Sequence, residues 1–218
     1  QAGQQLVYSV TALDAFGIDP TGLVCLDAGA STGGFTDLLL ARGARIVYAV
    51  DVGRGQLLDR LARDPRVVSM ERTNLRTLRS LPEPIDLATL DLSFISLRLM
   101  LPAVGDLVTE RASVIALVKP QFEAGRDAVP RGGVVRDPAT HREVLLRFGE
   151  NAMQAGFGPM AMTVSPLAGA DGNQAVLALL AQGPAPAPGW PSRAGPPPPR
   201  ARCHAAPPPQ PHPQHHRT

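Results

Sequence analysis

Fifteen residues, Leu23-Val24-Cys25-Leu26-Asp27-Ala28-Gly29-Ala30-Ser31-Thr32-Gly33-Gly34-Phe35-Thr36-Asp37, constrain the fold of this chain more than any other stretch. Leu23 to Asp27 reads as a buried strand, and Phe35 to Ala41 as an amphipathic helix after a glycine-rich turn. A strand, a glycine turn and a helix in that order present a ligand at the carboxyl end of a strand in an α/β sheet. The rest of the chain reads as further units of the same sheet.

The spacing within the turn discriminates between ligands. Asp27-x-Gly29-x-x-x-Gly33 lacks the tight glycine pair of Gly-x-Gly-x-x-Gly, which lets a pyrophosphate approach the backbone. An acid at the strand end repels a pyrophosphate but suits an ammonium. S-adenosylmethionine (SAM) carries an amino-acid end and no phosphate. The alternative is a plain βα turn whose glycines serve only to reach positive φ.

Further strands follow from apolar runs bounded by turn residues. They are Arg45 to Asp51, Arg66 to Met70, Ile85 to Asp91 and Ala112 to Val118, with helices expected at Leu6–Phe16, Gln56–Ala62, Leu97–Val108 and Pro138–Ala155. Met160 to Ser165 and Gln174 to Leu180 are joined by a connection too short for a crossover helix, so they should pair antiparallel. The expected fold is a Rossmann-like, SAM-type α/β domain, with a seven-stranded, mostly parallel sheet closed by an antiparallel hairpin. Its expected limits are residues 21–181. Residues 1–20 would be a helix and linker remnant, and 182–218 a disordered Pro/His-rich tail.

Acids end two further strands. Asp51 lies 18 residues after Gly33, near the position where a carboxylate accepts hydrogen bonds from ribose hydroxyls. Asp91 ends the fourth strand. Asn74 follows the third strand, where it could pair with an adenine edge or serve as a turn residue. The segment from Gly125 to Asp137 exceeds the usual loop length, which fits a lid or substrate loop as well as a solvated one. Arg126, Arg131 and Arg136 give it positive charge.

Composition narrows the function classes. The net charge is +2, but the first 180 residues carry 17 basic against 19 acidic groups. The basicity therefore belongs to the tail and does not by itself indicate nucleic-acid binding. Cys25 and Cys203 lie far apart in the sequence, which fits a reducing compartment. No apolar run reaches the roughly 18 residues of a membrane span, so a cytoplasmic protein without membrane contact or obligate protein partner is expected. The last 38 residues hold 13 of the 23 prolines and four of the five histidines, a composition that buries no core. The chain has one lysine, Lys119, at the end of an apolar run. A lysine desolvated there can work as a base near neutrality.

Six blocks resemble the TlyA family of FtsJ-like rRNA 2′-O-methyltransferases, historically labelled haemolysins. They are Cys25-Leu26-Asp27-Ala28-Gly29-Ala30-Ser31-Thr32-Gly33-Gly34-Phe35-Thr36, Asp51-Val52-Gly53-Arg54-Gly55-Gln56-Leu57, Glu71-Arg72-Thr73-Asn74, Asp91-Leu92-Ser93-Phe94-Ile95-Ser96-Leu97, Leu117-Val118-Lys119-Pro120-Gln121-Phe122-Glu123 and Gly132-Gly133-Val134-Val135-Arg136-Asp137-Pro138. The resemblance implies SAM as cofactor, ribosomal RNA or ribosomal subunits as partner, and methylation of a cytidine ribose. It also implies an S4-type RNA-binding domain upstream of these residues. On this reading Asp27, Gly29, Ser31, Gly33, Gly34, Phe35, Asp51, Asn74 and Asp91 hold the cofactor, while Asp91 and Lys119 are catalytic.

The family's Lys-Asp-Lys-Glu tetrad is only half matched. Gln5 or Tyr8 stands at the first Lys, depending on alignment, and Ala175 stands at the closing Glu. A catalytically impaired SAM- or RNA-binding module is therefore an alternative. An amino-group methyltransferase is another, because Asp91-Leu92-Ser93-Phe94 loosely echoes the Asp-Pro-Pro-Tyr loop that grips a base amine. No amphipathic or spanning segment supports a membrane-lysing role.

Overall fold

The computed structural model describes residues 2–125, 129–169, 172–183 and 190, with side chains from residue 9 onwards. Gln5 and Tyr8 thus lie on a described helix without described side chains. Arg126, and the tail apart from Gln182, Gly183 and Trp190, lie outside the described residues.

Seven strands form one sheet in the order β3-β2-β1-β4-β5-β7-β6. The strands are β1 (Val24–Ala28), β2 (Ile46–Val50), β3 (Val67–Met70), β4 (Ile85–Leu90), β5 (Val108–Val118), β6 (Phe157–Ala168) and β7 (Gln174–Gln182). The first five pair in parallel, while β7 pairs antiparallel with both β5 and β6. The helices are α1 (Ala2–Phe16), α2 (Gly34–Ala41), α3 (Asp59–Ala62), α4 (Leu101–Gly105), α5 (Pro120–Glu123) and α6 (Pro138–Gln154).

Strand parity divides the core into two layers, because successive side chains face opposite sides of a sheet. Leu26, Tyr48, Ala88, Val114, Ala116 and Ala178 pack with Leu101 and Val104 of α4 and Val144 and Phe148 of α6. Cys25, Val47, Leu87, Ile115, Leu117 and Leu177 pack with Leu13 of α1, Phe35 and Leu39 of α2 and Leu61 of α3. Helices on both faces explain why the central strands read as unbroken apolar runs rather than alternating ones. Burial pushes the Cys25 thiol up to about 12, so it is a core residue and not a nucleophile.

The expected seven-stranded, mostly parallel sheet and its antiparallel hairpin are present, but several boundaries differ. The helix expected over Leu97–Val108 is a 3-10 turn, Leu97–Leu99, followed by α4, and Val108 instead opens β5. Pro102 sits in the first turn of α4, where its missing N–H costs nothing. The hairpin strands run longer than their apolar cores: β6 starts at Phe157 and β7 extends to Gln182. Paired strands continue as far as their ladder partners do, which local apolarity does not report. At α6 the expected Pro138 start is accompanied by Asp137, whose carboxylate accepts from the N–H groups of Ala139 and Thr140.

Trp190 packs back on α6. Its ring lies 6.2 Å from that of Phe148, and a side chain at Gly149 would strike the indole nitrogen. Because Trp190 is the only tryptophan, Gly149→Val should red-shift the emission of the whole protein while leaving its far-UV circular dichroism unchanged.

Candidate active site

The site forms at the carboxyl ends of β1, β2, β4 and β5, on both sides of the gap where strand order reverses between β1 and β4. That is the expected ligand position in an open α/β sheet. Backbone bonds tie the strand ends together: Gly29 N–H donates to Val50 C=O at 2.8 Å and Asp91 N–H donates to Ala28 C=O at 2.9 Å. Gly29 has φ +81°, and a Cβ there would collide with the Asp91 carbonyl. Only glycine allows the turn to pass this close to the neighbouring strand. Ser31 also holds a left-handed conformation, with φ 48°, and its N–H donates to Asp51 Oδ2 at 2.8 Å. Gly53 N–H donates to the other Asp51 oxygen at 2.7 Å. Asp51 is therefore oriented by two backbone donors before any ligand arrives.

A cleft of about 410 Å³ opens over these strand ends. Gly29, Ser31, Asp51, Asn74 and Asp91 line it, as the sequence led one to expect. Asn74 is a turn residue that also stands at the cleft. It lines the cleft, and its Oδ1 accepts from Arg76 N–H at 3.0 Å, which caps a 3-10 turn and leaves the amide nitrogen for a ligand. Val50, Val52, Leu75, Leu92, Ile95 and Met100 supply apolar walls.

The donor set tests the cofactor. Among the described residues, two carboxylates and no arginine or lysine line the cleft. A pyrophosphate would face two acids there, whereas an adenosyl group carrying a sulfonium and an ammonium meets acids for its charges and ribose hydroxyls. The apolar walls suit an adenine ring, and the volume lies within the range of small-molecule pockets. These residues fit SAM.

Asp27, Gly33, Gly34 and Phe35 do not line this cleft; they lie behind the turn. Asp27 is fully buried. Its Oδ2 accepts from the N–H and the hydroxyl of Thr36 at 2.9 and 2.7 Å, and the Thr89 hydroxyl lies 3.2 Å from its Oδ1. Thr36 is in the first turn of α2, and Gly33 provides no side-chain cap. Asp27 thus serves as a remote N-cap, satisfying an N–H that has no partner within the helix. Burial pushes its carboxyl up to about 6 despite these bonds, with the nearby Asp91 charge adding to the effect. Gly33 lies against Leu57 and Leu61, and Phe35 is in the α2 layer of the core.

Lys119 follows β5, the strand beside β4. Its Nζ lies 2.7 Å from Asp91 Oδ1 and 3.0 Å from Ser93 Oγ. The lysine does not stand among purely apolar groups, as its surrounding sequence suggested; it is held by a carboxylate and a hydroxyl, with its side chain 17% exposed. Ser93 lies in the Asp91–Leu97 stretch, and its local sequence does not mark it as a partner of the lysine. What places it is the β4–β5 register, in which Leu90 pairs with Ala116 and which, continued, brings Ser93 level with Lys119. On the other side β7 pairs Val176 with Val118, so the same ladder brings Ala175 level with Lys119. The position of the expected glutamate is thus beside the lysine, and it carries a methyl group.

A second cleft, about 450 Å³, adjoins the first and is lined by Phe94, Ile95, Ser96, Gln121, Phe122, Gly125 and Val129. Phe94 borders both clefts, is 91% exposed and has φ 64°. Among the described residues no group of acids, histidines and cysteines is placed to hold a metal ion, and no helix is long and apolar enough to cross a membrane.

Strand order, glycine turn and cleft together define a Rossmann-like fold of the SAM-dependent methyltransferase type. Residues 10–181 match the FtsJ-like methyltransferase family, and the chain belongs to it. It is 50% identical over 168 residues to the 16S/23S rRNA (cytidine-2′-O)-methyltransferase TlyA of Mycobacterium tuberculosis, covering 75% of this chain and 62% of that protein. The chain therefore spans less than two thirds of that relative's length. Hemolysin A of Brachyspira hyodysenteriae is 39% identical over 184 residues, covering 82% of this chain and 74% of its own. A solved Streptococcus thermophilus structure, of a protein named as a hemolysin candidate, superposes with a TM-score of 0.81 at 40% identity, covering 84% of this chain and 67% of the other.

Asp27 yields a sign-defined test. Its folded pKa is raised, so its charge opposes folding above about pH 6, and that penalty is relieved as pH falls. Asp27→Asn should melt higher than the parent at pH 8, with the gap closing towards pH 4. Asp27→Ala should lose about 2–3 kcal/mol, because it leaves the buried Thr36 donors unpaired. Thermal melts of the three proteins across pH 4–8 check both.

Proposed function

We propose that this chain transfers a methyl group from SAM to a ribose 2′-hydroxyl, on a cytidine of ribosomal RNA. The observation that carries this reading is the Lys119–Asp91–Ser93 cluster, in which Asp91 and Ser93 line the cleft that fits SAM. A ribose hydroxyl is a poor nucleophile and needs a positioned base, whereas an amine acceptor does not. The rRNA cytidine assignment rests on the TlyA relative. With ribosomal RNA as partner, ribosomal subunits in the cytoplasm are the natural substrate.

SAM supplies the electrophilic methyl group. In this reading Asp51 and Asn74 hold the adenosine end, and Ser31, Gly29 and Asp91 fix its orientation. The exposed Phe94 ring offers a stacking face to the target base, as aromatic side chains do for splayed nucleotides. The hydroxyl would then lie against Lys119, which would take up its proton as the methyl carbon bonds to the hydroxyl oxygen and its bond to the SAM sulfur breaks. Asp91 orients the amine and stabilises the ammonium produced. Alignment within the paired clefts contributes much of the remaining acceleration.

Assays on ribosomal subunits with SAM, followed by mapping of the methyl group to ribose or base, test the reaction. Lys119→Ala should lower kcat by roughly 100-fold or more. Lys119→Arg should be similarly impaired, since a guanidinium keeps the charge but does not act as a base. Wild-type activity in both variants would overturn the proton-transfer role.

Ala175 favours a second reading, a module that binds SAM but turns over slowly. Calorimetry showing SAM binding without methylation would support it. If the missing carboxylate limits the rate, Ala175→Glu should raise kcat roughly tenfold without changing SAM affinity. Single-turnover kinetics measure this directly.

A further inference from the structure

The two loops that carry the transfer cluster leave neighbouring strands and have no secondary structure in common. One runs from Asp91 to the 3-10 turn Leu97–Leu99, and the other from Lys119 through α5. Asp91 and Ser93 are on the first, Lys119 on the second. A displacement of either loop would separate the lysine from both partners, and misplacement of about 1 Å at a reacting group costs on the order of 100-fold in rate.

One side chain bridges these loops away from the cleft that fits SAM. Glu123 Oε2 accepts from the Ser96 hydroxyl at 2.7 Å, and Glu123 Oε1 accepts from Leu97 N–H at 2.7 Å. Its two oxygens therefore cap the 3-10 turn of the first loop from the end of α5 on the second. Burial raises its carboxyl above the usual range, while the bonds to Leu97 and Ser96 and the charge of Arg98 oppose that rise. A carboxylate kept here against a burial cost has a specific task. A second contact runs parallel to it: Phe94 and Phe122, one from each loop, have ring centroids 5.3 Å apart. The Lys119–Asp91 pair, the aromatic contact and the Glu123 bridge thus join the same two segments at three points.

We propose that Glu123 is a positioning residue for methyl transfer, holding the loop of Asp91 and Ser93 against the loop of Lys119. This rests on the transfer reaction proposed above. Glu123 is not among the residues lining the cleft that fits SAM, whereas Asp91 to Ile95 of the loop it braces are, so its loss should lower turnover more than it lowers SAM affinity. A purely stabilising cap would instead change the melting temperature without a selective effect on turnover.

The test uses the full chain with SAM and ribosomal subunits. Glu123→Ala should lower kcat at least 10-fold, with SAM affinity falling by clearly less than kcat. Glu123→Gln should recover kcat to within about threefold, because its amide can still accept from Leu97 N–H and donate to Ser96 Oγ. Ser96→Ala should have a smaller effect, and none when added to Glu123→Ala. Hydrogen exchange provides a readout independent of catalysis: Glu123→Ala should expose the amides of residues 92–97 and 119–124 and leave 28–36 unchanged. If the parent protein methylates no RNA, the reaction assigned above fails, and this exchange pattern alone decides whether Glu123 joins the loops. Parental kcat in Glu123→Ala, equal loss of kcat and SAM affinity, or an unchanged exchange pattern would each overturn the proposal.

Discussion

A buried carboxylate fixes the geometry of the cleft without lining it. Asp27 joins β1 to the first turn of α2 through Thr36 and to β4 through Thr89. The glycine turn between β1 and α2 is thereby pinned at both ends, and Ser31 within it can orient Asp51 on the next strand. Charge near the amino end of a helix is favourable, but burial opposes it. The carboxyl raised to about 6 shows that burial outweighs the bonds. The protein retains a costly group because three elements meet on it.

The same organisation recurs on the other half of the site. Lys119 is set by the β4–β5 register together with Asp91 and Ser93, and Glu123 closes the loops behind them. Backbone ladders place these side chains to within a residue, and side-chain bonds complete the alignment. A site built on strand ends inherits the rigidity of the sheet, and only the short loops beyond them need further bracing.

Much of this was legible in the sequence. The strand, glycine turn and helix at Leu23–Ala41, the acids ending successive strands, and the short connection before Gln174 together gave the sheet and its antiparallel close. Gly29, Ser31, Asp51, Asn74 and Asp91 were recognisable as residues of the cleft because each lies in the loop that leaves a strand's carboxyl end. Asp27 was misplaced, although parity holds the answer: it shares the odd phase of Cys25, whose side chain packs in the α1–α2 layer. Ser93 and Glu123 could not be read, because their roles come from the register between strands and from contacts across 26 or 27 residues. Local sequence carries no record of such distances. The end of the helix expected over Leu97–Val108 was missed for a related reason, since pairing with β4 extends β5 back to Val108.

The position of β7 has a consequence for biosynthesis. It is the last of the described strands in chain order, yet it inserts between β5 and β6. Until it is made, β5 presents an open edge on the side of Lys119, and β6 has no neighbour in the sheet. Unpaired edges of apolar strands recruit other chains. The nascent protein must therefore keep a half-built sheet from associating until residues 174–182 leave the ribosome, the class of particle on which the finished domain is proposed to act.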